Sequence, residues 1–227
     1  MRVRVRFTKI GKVRFLGNLD LARNWERAIR RADLPVAYTE GFSPRPKLHY
    51  GLALPTGAES CAEYMDIDLS ADVPLEGLAE ALSEGMPPGI DVTSVGEVPS
   101  NATALQAVVD HCTWELDFVG TPVADLEAAA AKLMAADEVL LTFERKKKSI
   151  TENVRPALLD LSVVERHEGA ATLAATLATK PRSIRPSELL TCLGVDSDST
   201  RVRRIEQWMT HDGVAIPPIL AGSEAVR

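Results

Sequence analysis

Aromatic residues make up only 5% of the 227 residues, and cysteine occurs three times. So few rings leave a core that must be aliphatic and rich in alanine. Cys61, Cys112 and Cys192 are far apart and odd in number, which excludes a sequence-local CxxC zinc or iron–sulfur motif and argues against a disulfide framework. A CxxxCxxC cluster motif is absent as well. No apolar run approaches the ~18–20 residues that cross a bilayer, so no membrane partner is expected. The opening Met1-Arg-Val-Arg-Val-Arg6 lacks the apolar stretch of a signal peptide, and a cytoplasmic location is expected. The phosphate-cradling, dinucleotide-binding and GxSxG motifs are also missing. His49, His111, His167 and His211 show no HExxH or HxH spacing, so neither a metal nor a cofactor is expected.

What the chain does have is segregated charge. The formal total is −6, yet residues 1–50 carry +8, residues 51–143 carry −16 and residues 144–227 carry +2. A basic N-terminal segment in an acidic chain points to a localised polyanion site, or to basic and acidic parts that neutralise each other inside the fold.

Periodicity supplies the elements. Val3, Val5 and Phe7 alternate with Arg2, Arg4 and Arg6, which predicts a strand with three guanidinium groups on one face. Leu21, Trp25, Ala28, Ile29 and Ala32 recur at helical spacing, with Asn18 placed to cap that helix and Arg23, Arg27, Arg30 and Arg31 on another face. Extended segments at 36–38, 48–54 and 62–69, a helix over 74–84 and a strand over 90–98 complete a β-α-β-β-α-β order, the ferredoxin-like arrangement. The second half repeats it: a strand over 112–119, a helix over 122–136, a strand over 139–143, a polar basic loop over 144–155, a hairpin of 158–164 with 171–178 across Glu168-Gly169, a helix over 186–193 and a closing segment over 201–209. That last segment fits a strand or a helix. The expected fold is α+β, two tandem ferredoxin-like domains over 1–100 and 101–227. Pro44-Arg45-Pro46-Lys47 in the first half and Lys148 with Arg155-Pro156 in the second occupy the same station.

Candidate binding residues follow from this placement. In Gly41-Phe42-Ser43-Pro44-Arg45-Pro46-Lys47 two prolines fix φ at alternate positions, so Arg45 and Lys47 are held rather than floppy, and a guanidinium can fork onto a phosphate. Phe42 can stack on a base or enter the core. The alternative for Arg45 is an internal acid such as Glu63 or Asp66. Arg2, Arg4 and Arg6 either face a ligand, as sheet faces do in RNA binders of this architecture, or pair with Asp66 and Asp68 on a neighbouring strand. Lys9, Lys12, Arg14, Lys148 and Arg155 extend the cationic set, and Lys146, Lys147 and Lys148 read as a mobile basic loop that contacts a polyanion or as a solvated hairpin tip. The arginines of the first helix track phosphates or form a solvated face. His49, close to Arg45 and Lys47, is the one weak catalytic candidate, as the base of a metal-independent RNA cleavage.

The ordered set Arg6-Phe-Thr-Lys9, Gly11, Arg14-Phe15, Leu19-Asp20, Arg30-Arg31, Leu34-Pro35, Gly41-Phe42, Pro44 to Lys47 and Glu63-Tyr64 resembles the radical SAM-linked protein family. That family is a domain of unknown function found alone or joined to a radical S-adenosylmethionine enzyme. The resemblance implies a partner or substrate-recognition role beside such an enzyme, with RNA as the favoured substrate class. One departure is Gly17-Asn18, where the family usually reads Ser-His. Three functions follow as expectations: a non-catalytic RNA- or nucleoprotein-binding module that presents substrate to a radical SAM protein, an endoribonuclease using His49, or a protein adaptor that never touches nucleic acid.

Overall fold

In the computed structural model, which describes residues 1–99, 101–167, 170–195 and 200–219, the N-terminal alternation forms β1, Arg2–Lys9. Val3, Val5 and Phe7 are fully buried against α1, Asn18–Arg31, whose Leu21, Trp25, Ala28 and Ile29 form the facing stripe. Phe7 meets Trp25 edge to face with 5.0 Å between ring centres, an arrangement the ring quadrupoles favour. The chain divides into two compact units, Met1–Val109 with the segment from Glu206 onward, and Asp110–Ile205.

Unit 1 continues with β2 (Leu48–Tyr50), β3 (Glu59–Asp68), α2 (Leu78–Glu84), β4 (Val92–Val98) and the single turn α3 (Leu105–Val108). Its strands lie in the order β4-β1-β3-β2, each pair antiparallel. Expected lengths shrink in two places. The extended segment after Lys47 pairs only over β2, and α2 starts after Gly77 rather than at Pro74, because Gly77 adopts φ +73 and interrupts the helical path. Beyond α2, Gly89 (φ +97) is held so close to the turn after β1 that a Cβ would sit 2.2 Å from the Ile10 carbonyl oxygen. The Ile10 N–H donates to the Gly89 oxygen at 2.8 Å, locking the two loops together.

Unit 2 contains β5 (His111–Val119), α4 (Val123–Ala135), β6 (Leu140–Arg145), β7 (Lys148–Asn153), β8 (Leu158–His167), β9 (Ala170–Ala178) and α5 (Pro186–Leu193). β9 pairs antiparallel with both β5 and β8, while β6 and β7 form a separate two-stranded sheet. Residues 148–153, expected as loop, are therefore a strand. The turn expected at Glu168-Gly169 lies outside the described residues. Trp114, Leu116 and Phe118 of β5 are buried, as their alternation requires.

The segment over 201–209 is a strand, within β10 (Thr200–His211). β10 contributes residues to both units, Thr200–Ile205 to unit 2 and the rest to unit 1. It then turns at Asp212-Gly213, φ 49 and 78, into β11 (Val214–Ile216). The protein is thus a mixed α and β chain dominated by sheet, with few helices. Among the described residues no helix is long and apolar enough to cross a membrane.

Candidate nucleic-acid interface

The register of β1 on β3 sets Arg2 opposite Asp68, Arg4 opposite Asp66 and Arg6 opposite Tyr64. Arg2 Nε donates to Asp68 Oδ1 at 2.5 Å. Arg4 forks onto Asp66 at 2.6 and 2.9 Å and gives its third bond to the Pro218 carbonyl at 2.9 Å. Arg6 meets Glu206 at 2.9 Å, and Glu206 also accepts from the Tyr64 hydroxyl at 2.6 Å. Burial, reinforced by the Glu206 carboxylate, pushes the Tyr64 phenol well above its usual range, so it remains a donor. This face is also roofed: Leu105 of α3 and Ile219 pack with Ala62 and Tyr64 into a second apolar cluster. Arg4 is only 4% exposed and Asp66 2%. The expectation of a bare cationic strand face is therefore corrected. The three guanidinium groups serve internal carboxylates: Arg2 and Arg4 pair with Asp68 and Asp66, as the sequence also allowed, whereas Arg6 pairs with Glu206.

Three further candidates are engaged in structure. Lys9 is buried and its Nζ donates to the Leu16 carbonyl at 2.9 Å. Arg14 is partly buried, 3.6 Å from the buried Glu59, and lies over the Phe15 ring at 4.8 Å. Arg155 donates to the carbonyls of Met134, Ala136 and Leu158 at 2.8, 3.1 and 2.9 Å. It thereby satisfies carbonyls that the C-terminal end of α4 would otherwise leave open. The parallel between Arg45-Pro46 and Arg155-Pro156 is thus one of sequence and not of role. Lys12 differs: it is exposed and, with Arg23 and Arg27, lines a groove of about 430 Å³ floored by Val13, Leu16 and Pro87. Arg23 there meets Asp20 at 3.3 Å, and Arg27 donates to Asn24. The i, i+4 spacing of the two arginines is visible in the sequence, but the approach of Lys12 is not.

The loop from Tyr38 to Lys47 is held at its neck and bare at its tip. Tyr38 bridges Pro46, the Thr39 N–H donates to the Arg45 carbonyl at 2.9 Å, and the Arg45 N–H returns to the Thr39 hydroxyl at 3.0 Å. Lys47 N–H donates to the Ala37 carbonyl at 2.9 Å. Gly41, at φ +124, makes the bend that an L side chain would resist. Beyond it Phe42 is fully exposed and Tyr38 half exposed. Arg45 and Lys47 are exposed and have no ion pair among the described residues. An exposed ring costs hydrophobic free energy unless something covers it. A fully exposed ring in the same short loop as two exposed, uncommitted cations matches a stacked base with its phosphates. Lys148 is also exposed, at the β6–β7 turn. Tyr38 was expected only as the end of a short strand and as one of the residues that carry the family resemblance, not as a binding residue, because nothing in the sequence separates it from a core tyrosine.

His49 Nε2 lies 3.1 Å from Asp68 Oδ2, so one carboxylate holds both His49 and Arg2. His49 is half exposed and borders a groove of about 410 Å³ with Arg2, Tyr50 and Asp66. Burial pushes the Asp68 carboxyl up, but hydrogen bonds from Arg2 and His49 outweigh it and hold the group below the usual carboxylate range. A carboxyl lowered on folding contributes stability that is present above its unfolded pKa and lost as pH falls through the folded one. Asp68→Asn is therefore expected to flatten the fall in Tm below about pH 4, measured by thermal melts across that window. An acid limb identical to wild type would deny the carboxylate this part.

Asn18 does not cap α1. Gly17 occupies the cap position without a side-chain bond, and Asn18 is the first helical residue. It lines a pocket of about 200 Å³ with Phe7, Lys9, Tyr50 and the buried Glu63. The departure from Ser-His thus alters a cavity wall.

A family profile described as "Uncharacterized protein conserved in bacteria (DUF2344)" matches residues 2–186. No curated protein matches the chain. Among solved structures, a chain titled "Crystal Structure of a Cbf5-Nop10-Gar1 Complex" aligns at 10% identity over 90% of this chain and 48% of its own, with a TM-score of 0.48. This chain therefore spans about half the length of that one. A second, "Crystal Structure of an Unknown Protein from Galdieria sulphuraria", aligns at 13% identity over 91% of this chain and 97% of its own, with a TM-score of 0.27. Neither likeness is close enough to carry an argument about activity.

Proposed function

We propose, from the premise that the chain belongs to the DUF2344 family of uncharacterized bacterial proteins, that it is a non-catalytic RNA-binding accessory module. The observation that carries this is the Tyr38–Lys47 loop, which exposes Phe42 fully and leaves Arg45 and Lys47 exposed in the same segment. In our proposal the ring stacks on an unpaired base, and the two cations take the adjacent phosphates. Lys12 and Lys148 add charge, whereas Arg2, Arg4, Arg6, Lys9, Arg14 and Arg155 hold the scaffold. We read each unit as ferredoxin-like, supported by the strand orders β4-β1-β3-β2 and β10-β5-β9-β8. Presentation of the RNA to a radical SAM protein rests on the sequence resemblance alone.

Filter binding of labelled transfer RNA and ribosomal RNA at two salt concentrations tests the proposal. Binding should weaken with salt by a slope of roughly 0.7–0.9 per phosphate contacted. Absence of binding at low salt would remove the proposal. Co-purification with a radical SAM protein that survives ribonuclease treatment would favour the adaptor instead.

One observation favours a second function, metal-independent RNA cleavage: the orientation of His49 by Asp68 leaves its other ring nitrogen to act on a 2′-hydroxyl. Prolonged incubation of the protein with labelled RNA decides it. Intact RNA is expected, and cleavage that disappears in His49→Ala would reverse the assignment.

A further inference from the structure

β6 and β7 form a ladder of their own, closed by Arg145 opposite Lys148 with Lys146 and Lys147 as the turn. Both turn residues have positive φ, 51 and 62. A type I′ hairpin turn has this left-handed conformation at both positions and matches strand twist, and Asn-Gly adopts it with least cost. Lysine does so under strain from its Cβ. Two neighbouring lysines in such a turn sacrifice conformational ease and keep charge at the tip.

The ladder beneath is braced. The hydroxyls of Thr142 and Thr151 bond across it at 2.8 Å. Arg182 lies over the Phe143 ring at 5.2 Å, pairs with Glu152, and bonds Glu188 at 2.9 Å. At the base Val139 and Leu141 are buried, and Asn153 Oδ1 accepts the N–H groups of Val139 and Arg155 at 3.0 Å each. Cations on a braced support lose less freedom on binding than cations on a floppy loop. Lys146, Lys147 and Lys148 are exposed and have no ion pair among the described residues. A protein partner would require an apolar or aromatic anchor at the centre of contact, and residues 144–149 offer none. Phosphates require only the charge.

We infer that the β6–β7 hairpin is a stiff finger whose lysine tip docks on the phosphate ridges of a folded RNA. This rests on the RNA-binding proposal above and adds a contact independent of the Phe42 loop. Transfer RNA is the probe, with three proteins compared by filter binding and thermal melting. In Lys146→Asn/Lys147→Gly the turn relaxes, so Tm should rise by about 2–4 °C. The same variant should bind about tenfold more weakly, with a salt slope reduced by roughly 1.5. Lys146→Arg/Lys147→Arg keeps the charge and should bind as wild type without the gain in Tm. Wild-type affinity in the Asn-Gly variant overturns the finger while leaving RNA binding intact. A wild-type protein that binds no transfer RNA at low salt overturns the RNA proposal itself.

Discussion

Alanine at Phe42, Arg45 and Lys47 together is expected to weaken binding of transfer RNA roughly 100-fold or more while leaving the fold undisturbed. Stacking of a base on an aromatic ring contributes about 1–3 kcal/mol. Removal of the two cations alone, Arg45→Ala/Lys47→Ala, should cost a further ~1–3 kcal/mol through lost charge-assisted bonds. Stability should move within about ±0.5 kcal/mol, because these side chains are exposed and the neck bonds of the loop are made by backbone and by Thr39. The ring variant and the double cation variant separate the two contributions. Phe42→Ala should lower affinity at an unchanged salt slope, whereas the double cation variant should reduce the slope by roughly 1.5. A triple variant that binds like wild type would move the site away from this loop.

Asp66→Ala is expected to produce the largest loss of stability, about 3–5 kcal/mol, because it strands a buried guanidinium. Among the described residues Arg4 would keep its bond to the Pro218 carbonyl and lose both bonds to the carboxylate, at 4% exposure. Thermal melts should show a fall of roughly 10 °C for a chain of this size. Replacing both members with apolar groups, Arg4→Met/Asp66→Leu, should recover most of that loss, since a buried pair repays little more than its own desolvation. The same double variant should bind transfer RNA like wild type, because this strand face lies under Leu105 and Ile219. Weakened binding by a stable double variant would restore these cations to the interface.

The strand and helix content was largely legible. The alternation over residues 2–7 and the stripe from Leu21 to Ile29 specify which faces are buried, and they fold that way. The β6–β7 hairpin was legible only as the alternative to a basic loop, because Lys146-Lys147 lacks the Asn-Gly or Asp-Gly pair that marks such a turn. Asp212-Gly213 does carry that mark, and β11 follows it. For the candidate site, the loop's prolines predicted that Arg45 and Lys47 are held rather than floppy, with an internal acid as the alternative partner of Arg45; both are exposed. The role of Arg155 was hidden, because a guanidinium that completes the end of a helix and one that grips phosphate look identical in a sequence.

By itself the sequence determined where the apolar faces lie and that the cations gather in the first fifty residues and around 145–148, since periodicity and composition act over a few residues. Only the tertiary structure decided which cations remain uncommitted. Arg4 found Asp66 and Arg6 found Glu206, the latter two hundred positions away. A charge selects its partner by distance in space and by the cost of losing water, and neither quantity is written in the order of residues along the chain.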